Sequence, residues 1–498
     1  MNPVPRQEEI LSQPHRIEKD LLGKLAVPAD AYYGVQTQRA LENFALTGVP
    51  IAHFPKLIVG LAMVKKAAAA ANCDIGLLET DKYEAIAAAC DRLINGEFHD
   101  QFVVDMIQGG AGTSTNMNAN EVIANVALEA MGYAKGAYEH LHPNNDVNMS
   151  QSTNDAYPTA IRVGLQLSHA ELVDSLALLQ ASFAGKREQF HDVIKMGRTQ
   201  LQDAVPMTLG QEFGAYATTL GEDIDRIAGM IDLLREVNLG GTAIGTGINC
   251  DPRYSELAVN HLSEVCGHRM RLAADLIEAT SDMGAFVLFS GMTKRLAIKL
   301  SKICNDLRLL SSGPRTGFNE INLPPQQPGS SIMPGKVNPV IPEAVNQVAY
   351  QVIGNDLAIT MAAENGQLQL NVMEPLIAYK ILESMRLLRR AMDMLRERCI
   401  DGITANRDRC REMVANSIGL ITALNPYIGY DNATRIASLA LESGRGVLEL
   451  VREEGLLDED ELAEILKPEN MVNPRTMNGK NSNDRRGYLR IGKRCVKA

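Results

Sequence analysis

The chain has no tryptophan, and aromatic residues fill only 5% of its 498 positions. With 45% hydrophobic residues, its core must therefore be aliphatic and rich in its 21 methionines. No two of the eight cysteines (73, 90, 250, 266, 304, 399, 410 and 495) form a CxxC pair. That excludes short-spaced zinc and redox motifs, and dispersed cysteines in helical-looking segments read as buried free thiols of a reducing compartment. There is no HExxH and no acidic cluster with calcium spacing, so no metal and no cofactor are expected. No apolar run approaches the ~18 residues of a membrane span. The opening Met1-Asn2-Pro3-Val4-Pro5-Arg6-Gln7-Glu8-Glu9 has no apolar stretch of the kind a secretory leader carries. An excess of basic residues is also missing: the net charge of −11 argues against nucleic-acid binding. The expectation is a soluble, cytoplasmic protein with no nucleic-acid or membrane partner. Its length suggests about three domains and ample core.

Proline is as informative where it is absent. Residues 1–55 hold six of the 21 prolines and read as an irregular arm. Residues 56–142 have none and are Ala-rich, which suits helices interrupted at Gly109-Gly110-Ala111-Gly112. No strand-like run leads into that bend, so it is not read as a dinucleotide loop. Further on, 159–205, 207–251, 253–313, 343–374 and 376–425 are proline-free. Proline is strongly disfavoured inside helices, so these gaps predict long ones. One seam can be checked: Ile377, Ile381, Met385, Leu388, Met392 and Leu395 recur at spacings of four and three, as in a bundle. Arg386, Arg389, Arg390 and Arg396 fall off it and are expected to be solvated. The expected division is a mostly helical segment 1–150, a long-helix bundle 151–405 and a small helical segment 406–498. From Arg475 the chain turns basic, with eight Lys or Arg against Asp484 alone, and is expected to be a disordered, solvated tail.

The least regular stretch is Gly329-Ser330-Ser331-Ile332-Met333-Pro334-Gly335-Lys336-Val337-Asn338-Pro339, with prolines at 324, 325, 328, 334, 339 and 342 around and within it. Two hydroxyls, an ammonium and an amide within nine residues could clasp a small carboxylate. Five residues between Gly329 and Gly335, and Val337 after the lysine, exclude a Walker A loop. A bare Pro/Gly-rich surface turn is the plain alternative.

This stretch resembles the signature of the fumarase/aspartase superfamily. Three more motifs match that superfamily in order: Gly112-Thr113-Ser114-Thr115-Asn116-Met117-Asn118, Ser152-Thr153-Asn154-Asp155, and Gly197-Arg198-Thr199-Gln200-Leu201-Gln202-Asp203-Ala204. The match runs from Asp20-Leu21-Leu22-Gly23 to about Pro474, and within the superfamily it is nearest the aspartate ammonia-lyases. The resemblance implies a mainly α, three-domain fold whose long bundles pool from four subunits into a twenty-helix core. It implies reversible conversion of L-aspartate to fumarate and ammonia by a carbon–nitrogen lyase.

The residue roles that follow are the family's. Thr113, Ser152, Thr153 and Ser331 would hold the β-carboxylate, which becomes an aci-carboxylate dianion when the neighbouring carbon loses its proton. Lys336 and Asn338 would anchor the α-carboxylate, and Asn154 and Thr199 would contact the amino group. Ser330 would be the base. A free hydroxyl is a weak base at neutral pH, so the loop must stabilise an alkoxide through N–H groups and positive charge. Any one of these hydroxyls alone reads as a cap or turn.

Gln200 and Glu343 are auxiliary candidates. Fumarases carry histidine where this chain has Gln200, and Glu343 resembles a carboxylate partnered with that histidine. Here it would orient Gln200 or water, or simply begin a helix, where acids are favoured. His142, in His142-Pro143-Asn144-Asn145-Asp146, resembles a secondary carboxylate site of fumarases and is not expected to be catalytic. Gly240-Gly241-Thr242-Ala243-Ile244-Gly245-Thr246-Gly247 reads as a tight link between helices. A fumarate hydratase on the same fold and a silent structural protein are the alternatives. Gln200 and the stretch Glu364–Pro375 speak against the first, and joint retention of Ser330, Lys336, Asn338 and Thr199 against the second.

Overall fold

The computed structural model describes residues 14–466 and 468–472. The opening nine residues and the basic segment from Arg475 lie outside them. The protein is mainly helical, and its contacts divide it into two compact units, each assembled from three separate segments.

The first unit takes Met1–Leu176, Asp223–Ile298 and Gln347–Ala391. It opens with an antiparallel hairpin, β1 (His15–Asp20) and β2 (Gly23–Pro28), in which His15 pairs with Pro28 and Asp20 with Gly23. Helices α1 (Val35–Asn43), α2 (Pro55–Asp74), α3 (Thr80–Ile94) and α4 (Thr113–Ala130) follow. The expected Ala-rich helices are thus present, with the glycine bend just ahead of α4. Alanine lets α2 be packed on nearly all sides: Leu57, Ile58, Leu61, Ala62, Val64, Ala67, Ala68 and Ala71 are fully buried. It also crosses α5 (Thr153–Gln189) closely. A Cβ on Gly60 would lie 2.5 Å from the Ala160 carbonyl oxygen, and one on Gly164 would lie 3.1 Å from the Leu57 Cα. That crossing fixes the start of α5, where the Ser152–Asp155 motif sits.

α5 starts ahead of the proline-free gap and contains Pro158. Pro158 cannot donate to the Asn154 carbonyl four residues back. The Asn238 side-chain amide donates to that carbonyl instead, at 3.0 Å. A proline near a helix start is tolerated once another donor satisfies the orphaned oxygen.

The other helices are α6 (Leu209–Gly229), α7 (Tyr254–Cys266), α8 (Leu276–Ser281), α9 (Gly284–Leu310), α10 (Val340–Glu364) and α11 (Glu374–Arg398). α5 alone, at 37 residues, is about 55 Å long at 1.5 Å per residue. The division into units cuts through α5, α6, α9, α10 and α11. On α11 the seam is buried as expected: Ile377, Ile381, Met392 and Leu395 are fully enclosed and Met385 and Leu388 nearly so. Arg386 and Arg389 differ from expectation. They are half-buried, and with His53, Lys56 and Glu171 they line a cavity of about 410 Å³ in the first unit. Arg396 is also half-buried, paired with Glu397 at 2.6 Å.

The second unit takes Ala177–Glu222, Lys299–Asn346 and Met392–Ala498. Its antiparallel hairpin is β3 (Ile194–Thr199) and β4 (Gln202–Thr208). Lys195 pairs with Glu212 and, at 2.8 Å, with Glu320, which is fully buried. Arg198 pairs with Glu320 at 2.6 Å and lies 4.0 Å over the Phe318 ring. Helices α12 (Arg407–Asn416), α13 (Leu420–Ile428), α14 (Tyr430–Ser443), α15 (Val447–Glu453) and α16 (Glu459–Ile465) follow, with a last short α17 (Pro468–Met471). They close around a small core of Leu424, Ile436, Leu450, Val451 and Leu462.

Among the described residues the cysteines are free, with Cys90, Cys304, Cys399 and Cys410 buried. No described helix is long and apolar enough to cross a membrane.

Candidate active site

The sequence-predicted residues fall into three groups: the starts of α4 and α5, the β3–β4 tip, and the Gly329–Pro339 loop. The first is in the first unit. Gly110, Ala111 and Gly112 all take positive φ, of +87°, +53° and +89°, and swing the chain into α4. Gly112 must be glycine, since a Cβ there would lie 2.3 Å from the Tyr157 ring. Thr113, the first residue of α4, is exposed and donates its hydroxyl to the Gly110 carbonyl at 2.7 Å.

Ser152 caps α5. Its Oγ accepts from the Asn154 N–H at 3.2 Å, while the Asp155 carboxylate reaches back to the Ser152 N–H at 3.0 Å. The reach-back of the third-residue carboxylate is one half of a capping box. Thr153 Oγ1 accepts from the Asn116 amide at 3.1 Å, joining the two motifs. Asn154 donates to the Ala243 carbonyl at 2.7 Å.

Three features missed in sequence reasoning support this group. Asp155, fully buried, also accepts from the Gly240 and Thr242 N–H groups at 3.0 and 2.9 Å. Burial pushes its carboxyl up to about 6 against those donors. The glycine cluster is thus more than a link: its backbone is bolted to the Ser152–Asp155 motif. Gly240, at φ +94°, is pressed so closely on Ser255 that a Cβ would lie 2.0 Å from Ser255 Oγ. Lys65, fully buried on α2, donates to Asn116 Oδ1 at 2.6 Å and to Asn148 Oδ1 and Gln151 Oε1 at 2.8 Å. Asp155 stood within a quoted motif and so carried a signal; Lys65 lay in an Ala-rich helix and carried none.

The second group is the β3–β4 tip, in the second unit. Thr199 pairs with Gln202, and the two residues between them, Gln200 and Leu201, sit at φ +52° and +63°. Two left-handed residues in a two-residue loop suit the twist of a hairpin, yet the positions favour Gly or Asn. The cost of order 1–3 kcal/mol per strained residue is one that functional sites tolerate. The tip is exposed.

The third group is the Gly329–Pro339 loop, also in the second unit. It closes on itself: the Gly329 N–H donates to the Lys336 carbonyl at 2.8 Å, and the Asn338 amide donates to the Gly329 carbonyl at 3.0 Å. Gly335 turns the chain at φ +83°. Ser330 Oγ accepts from the Ile332 and Met333 N–H groups, both at 3.2 Å. Ser331 and Lys336 are exposed, and Ile332, at 83% exposure, presents its side chain outward. Glu343 is exposed in the first turn of α10, where a carboxylate faces the helix N-terminus. Among the described residues, no hydrogen bond joins Gln200 to Glu343 or to the loop.

His142 Nδ1 accepts from the Asn144 and Asn145 N–H groups at 3.0 and 3.2 Å, and burial lowers its pKa. That nitrogen therefore carries no proton, and the ring serves as a helix cap. No cluster of metal-ligating side chains gathers among the described residues.

The chemistry on display is dense in hydroxyl and amide donors, with one exposed ammonium and one hydroxyl held by two N–H groups. Such a set suits a dicarboxylate whose charge grows during reaction.

A lyase family model matches residues 23–354, and a model for the C-terminus of fumarase C matches 420–473. An aspartate ammonia-lyase of Pseudomonas aeruginosa is 75% identical over 461 residues, covering 92% of this chain and 97% of its own. A cobalt-bound fumarate lyase:delta crystallin from Brucella melitensis superposes with a TM-score of 0.90 at 59% identity, over 93% of this chain and all of that one. A class II fumarase from Schistosoma mansoni gives 0.87 at 35% identity, over 92% and 99%. The chain therefore belongs to the lyase family that holds the aspartate ammonia-lyases and the class II fumarases.

Proposed function

We propose that the protein is a carbon–nitrogen lyase that reversibly converts L-aspartate to fumarate and ammonia. The observation that carries the chemistry is the Ser330 hydroxyl, whose oxygen is held by two backbone N–H groups. Those donors would stabilise an alkoxide, and the Lys336 ammonium on the same loop adds positive charge. The alkoxide takes the proton from the aspartate β-carbon. The electron pair passes into the β-carboxylate, giving the aci-carboxylate that Thr113, Ser152, Thr153 and Ser331 hold by hydrogen bonds. Lys336 and Asn338 hold the α-carboxylate, and Asn154 and Thr199 the amino group.

Collapse of the aci-carboxylate forms the carbon–carbon double bond and breaks the carbon–nitrogen bond. Aspartate at neutral pH already carries its amine as ammonium, since an α-amino group titrates at about 8. Ammonia then leaves without a further proton, so the neutral Gln200 amide suffices where a hydratase needs an acid to expel hydroxide. Glu343 stays an auxiliary residue at a helix start.

Four such chains would form a homotetramer with a twenty-helix core, each site drawing its three groups from more than one subunit. The topology supports this, because the groups stand on or beside long rods that cannot fold back to meet their own distant ends. A long-helix middle segment (151–405) between two smaller ones remains the proposed domain layout. Buried free thiols suit a reducing cytoplasm.

The test is ultraviolet absorbance from fumarate, with aspartate and malate offered separately. Fumarate from aspartate alone supports the reading; fumarate from malate alone would make the protein a hydratase.

A further inference from the structure

Behind Thr153 lies a buried polar chain that the proposed mechanism leaves unused. It begins at Lys65, whose ammonium faces three side-chain amides: Asn116 at 2.6 Å, and Asn148 and Gln151 at 2.8 Å. A lysine ammonium donates three hydrogen bonds and accepts none. Each atom facing it must therefore be an amide oxygen, which removes the usual freedom of an amide to sit either way round. With its oxygen held by Lys65, Asn116 must turn its NH2 the other way. There it meets Asn148 Oδ1 and Thr153 Oγ1, both at 3.1 Å. Thr153 Oγ1 thus accepts a hydrogen bond from behind, and no other partner of that hydroxyl occurs among the described residues. Its single O–H is left to donate outward.

We propose that Lys65 is a positioning residue that, through Asn116, fixes the polarity of the Thr153 hydroxyl so that it donates to the substrate carboxylate. The proposal rests on the reading above, in which Thr153 stabilises the aci-carboxylate. A threonine free to rotate could instead present a lone pair to a growing negative charge, which would repel it. Donors aimed in advance at developing charge need no reorganisation during reaction.

The surroundings fit this role. Lys65 and Asn116 are 0% and 1% exposed, so water does not compete for these bonds. Three acceptors match the three donors of an ammonium, whereas a neutral amine has two. Burial draws the Lys65 pKa down to about 7, while the Asp155 carboxylate holds it up.

The test is a double-mutant cycle on the full-length enzyme between Asn116→Asp and Thr153→Val. The substituted carboxylate still pairs with Lys65 but offers only acceptors to Thr153, so the hydroxyl turns inward. Each single variant should lower kcat by ~10²–10³-fold, the range for one lost donor to an oxyanion. The double variant should be no slower than Thr153→Val, because the two act as one unit. Thermal melting is read alongside. If Asn116→Asp does not fold, Lys65→Met takes its place in the cycle, with Lys65→Arg as the donor-retaining rescue.

A purely structural role would lower melting temperature, leave kcat per folded enzyme unchanged, and overturn the proposal. So would losses that multiply in the double variant. A wild type that releases no fumarate from aspartate would refute the proposed function instead; an active wild type with multiplying losses refutes only the polarity.

Discussion

Gly329→Ala adds one methyl group at the base of the Ser330 loop and removes no functional group. That Cβ would lie 2.5 Å from the Lys336 carbonyl oxygen, 2.9 Å from its carbon and 3.1 Å from the Asn338 nitrogen. Ordinary contact begins at 3.4 Å, so the base must open by 3.4 − 2.5, or about 0.9 Å. The opening breaks the Gly329–Lys336 bond of 2.8 Å and strains the Asn338–Gly329 bond of 3.0 Å. Two such bonds on a largely exposed loop contribute about 1–3 kcal/mol locally. Global unfolding should hardly change, as the loop adds no large side chain to the core. Catalysis should change greatly, because Lys336 and Asn338 move relative to Ser330, and a misplacement near 1 Å can cost ~10²-fold. Fumarate release gives kcat and KM, and circular dichroism gives the melting curve. An unchanged kcat/KM would refute the claim that the closed base positions these groups. A large fall in melting temperature would refute the claim that the loop is energetically separate.

Ser330→Ala should fold and assemble while turnover drops by the ~10²–10⁴ typical of a lost proton-transfer group; half-retained turnover would mean the base is elsewhere. Lys336→Ala should also raise KM, since it removes the charge facing a carboxylate, and an unchanged KM would contradict that role. Gly112→Ala places a methyl 2.3 Å from the Tyr157 ring at a φ of +89°, so strain and overpacking together should destabilise by about 2–5 kcal/mol in urea unfolding. Mixing Thr199→Ala with Ser330→Ala under conditions of demonstrated subunit exchange should restore part of the activity through hybrid sites; no recovery would count against shared sites.

Much of the fold was legible because proline and glycine punctuate the chain strongly. The long helices run mostly within proline-free gaps, although α5, α10 and α11 start ahead of theirs and take in Pro158, Pro342 and Pro375, and the α11 seam was buried residue for residue. Pro158 shows the limit, since only the distant Asn238 amide makes a proline acceptable inside α5. Arg386 and Arg389 show another: lying off an apolar seam does not mean lying in water, when a neighbouring segment carrying His53 and Lys56 walls them in. Among the site residues, the motif hydroxyls were visible by resemblance. Lys65, Asn116 as a relay, and Asp155 as an anchor for the Gly240 loop were not. Their roles arise from partners 35 to 90 residues away in sequence, roughly, and no local periodicity marks such long-range polar contacts. The way three segments interleave in each unit was equally invisible, because proline spacing reports helices and not their neighbours.

The central claim is that this enzyme handles ammonia and not water at the fumarate double bond. The most direct measurement is fumarate consumption with and without ammonium, with malate and aspartate both assayed. Consumption should require ammonium and yield aspartate, with little or no malate in either buffer. Malate formed in ammonium-free buffer at a rate matching amination would contradict the account and make the protein a hydratase.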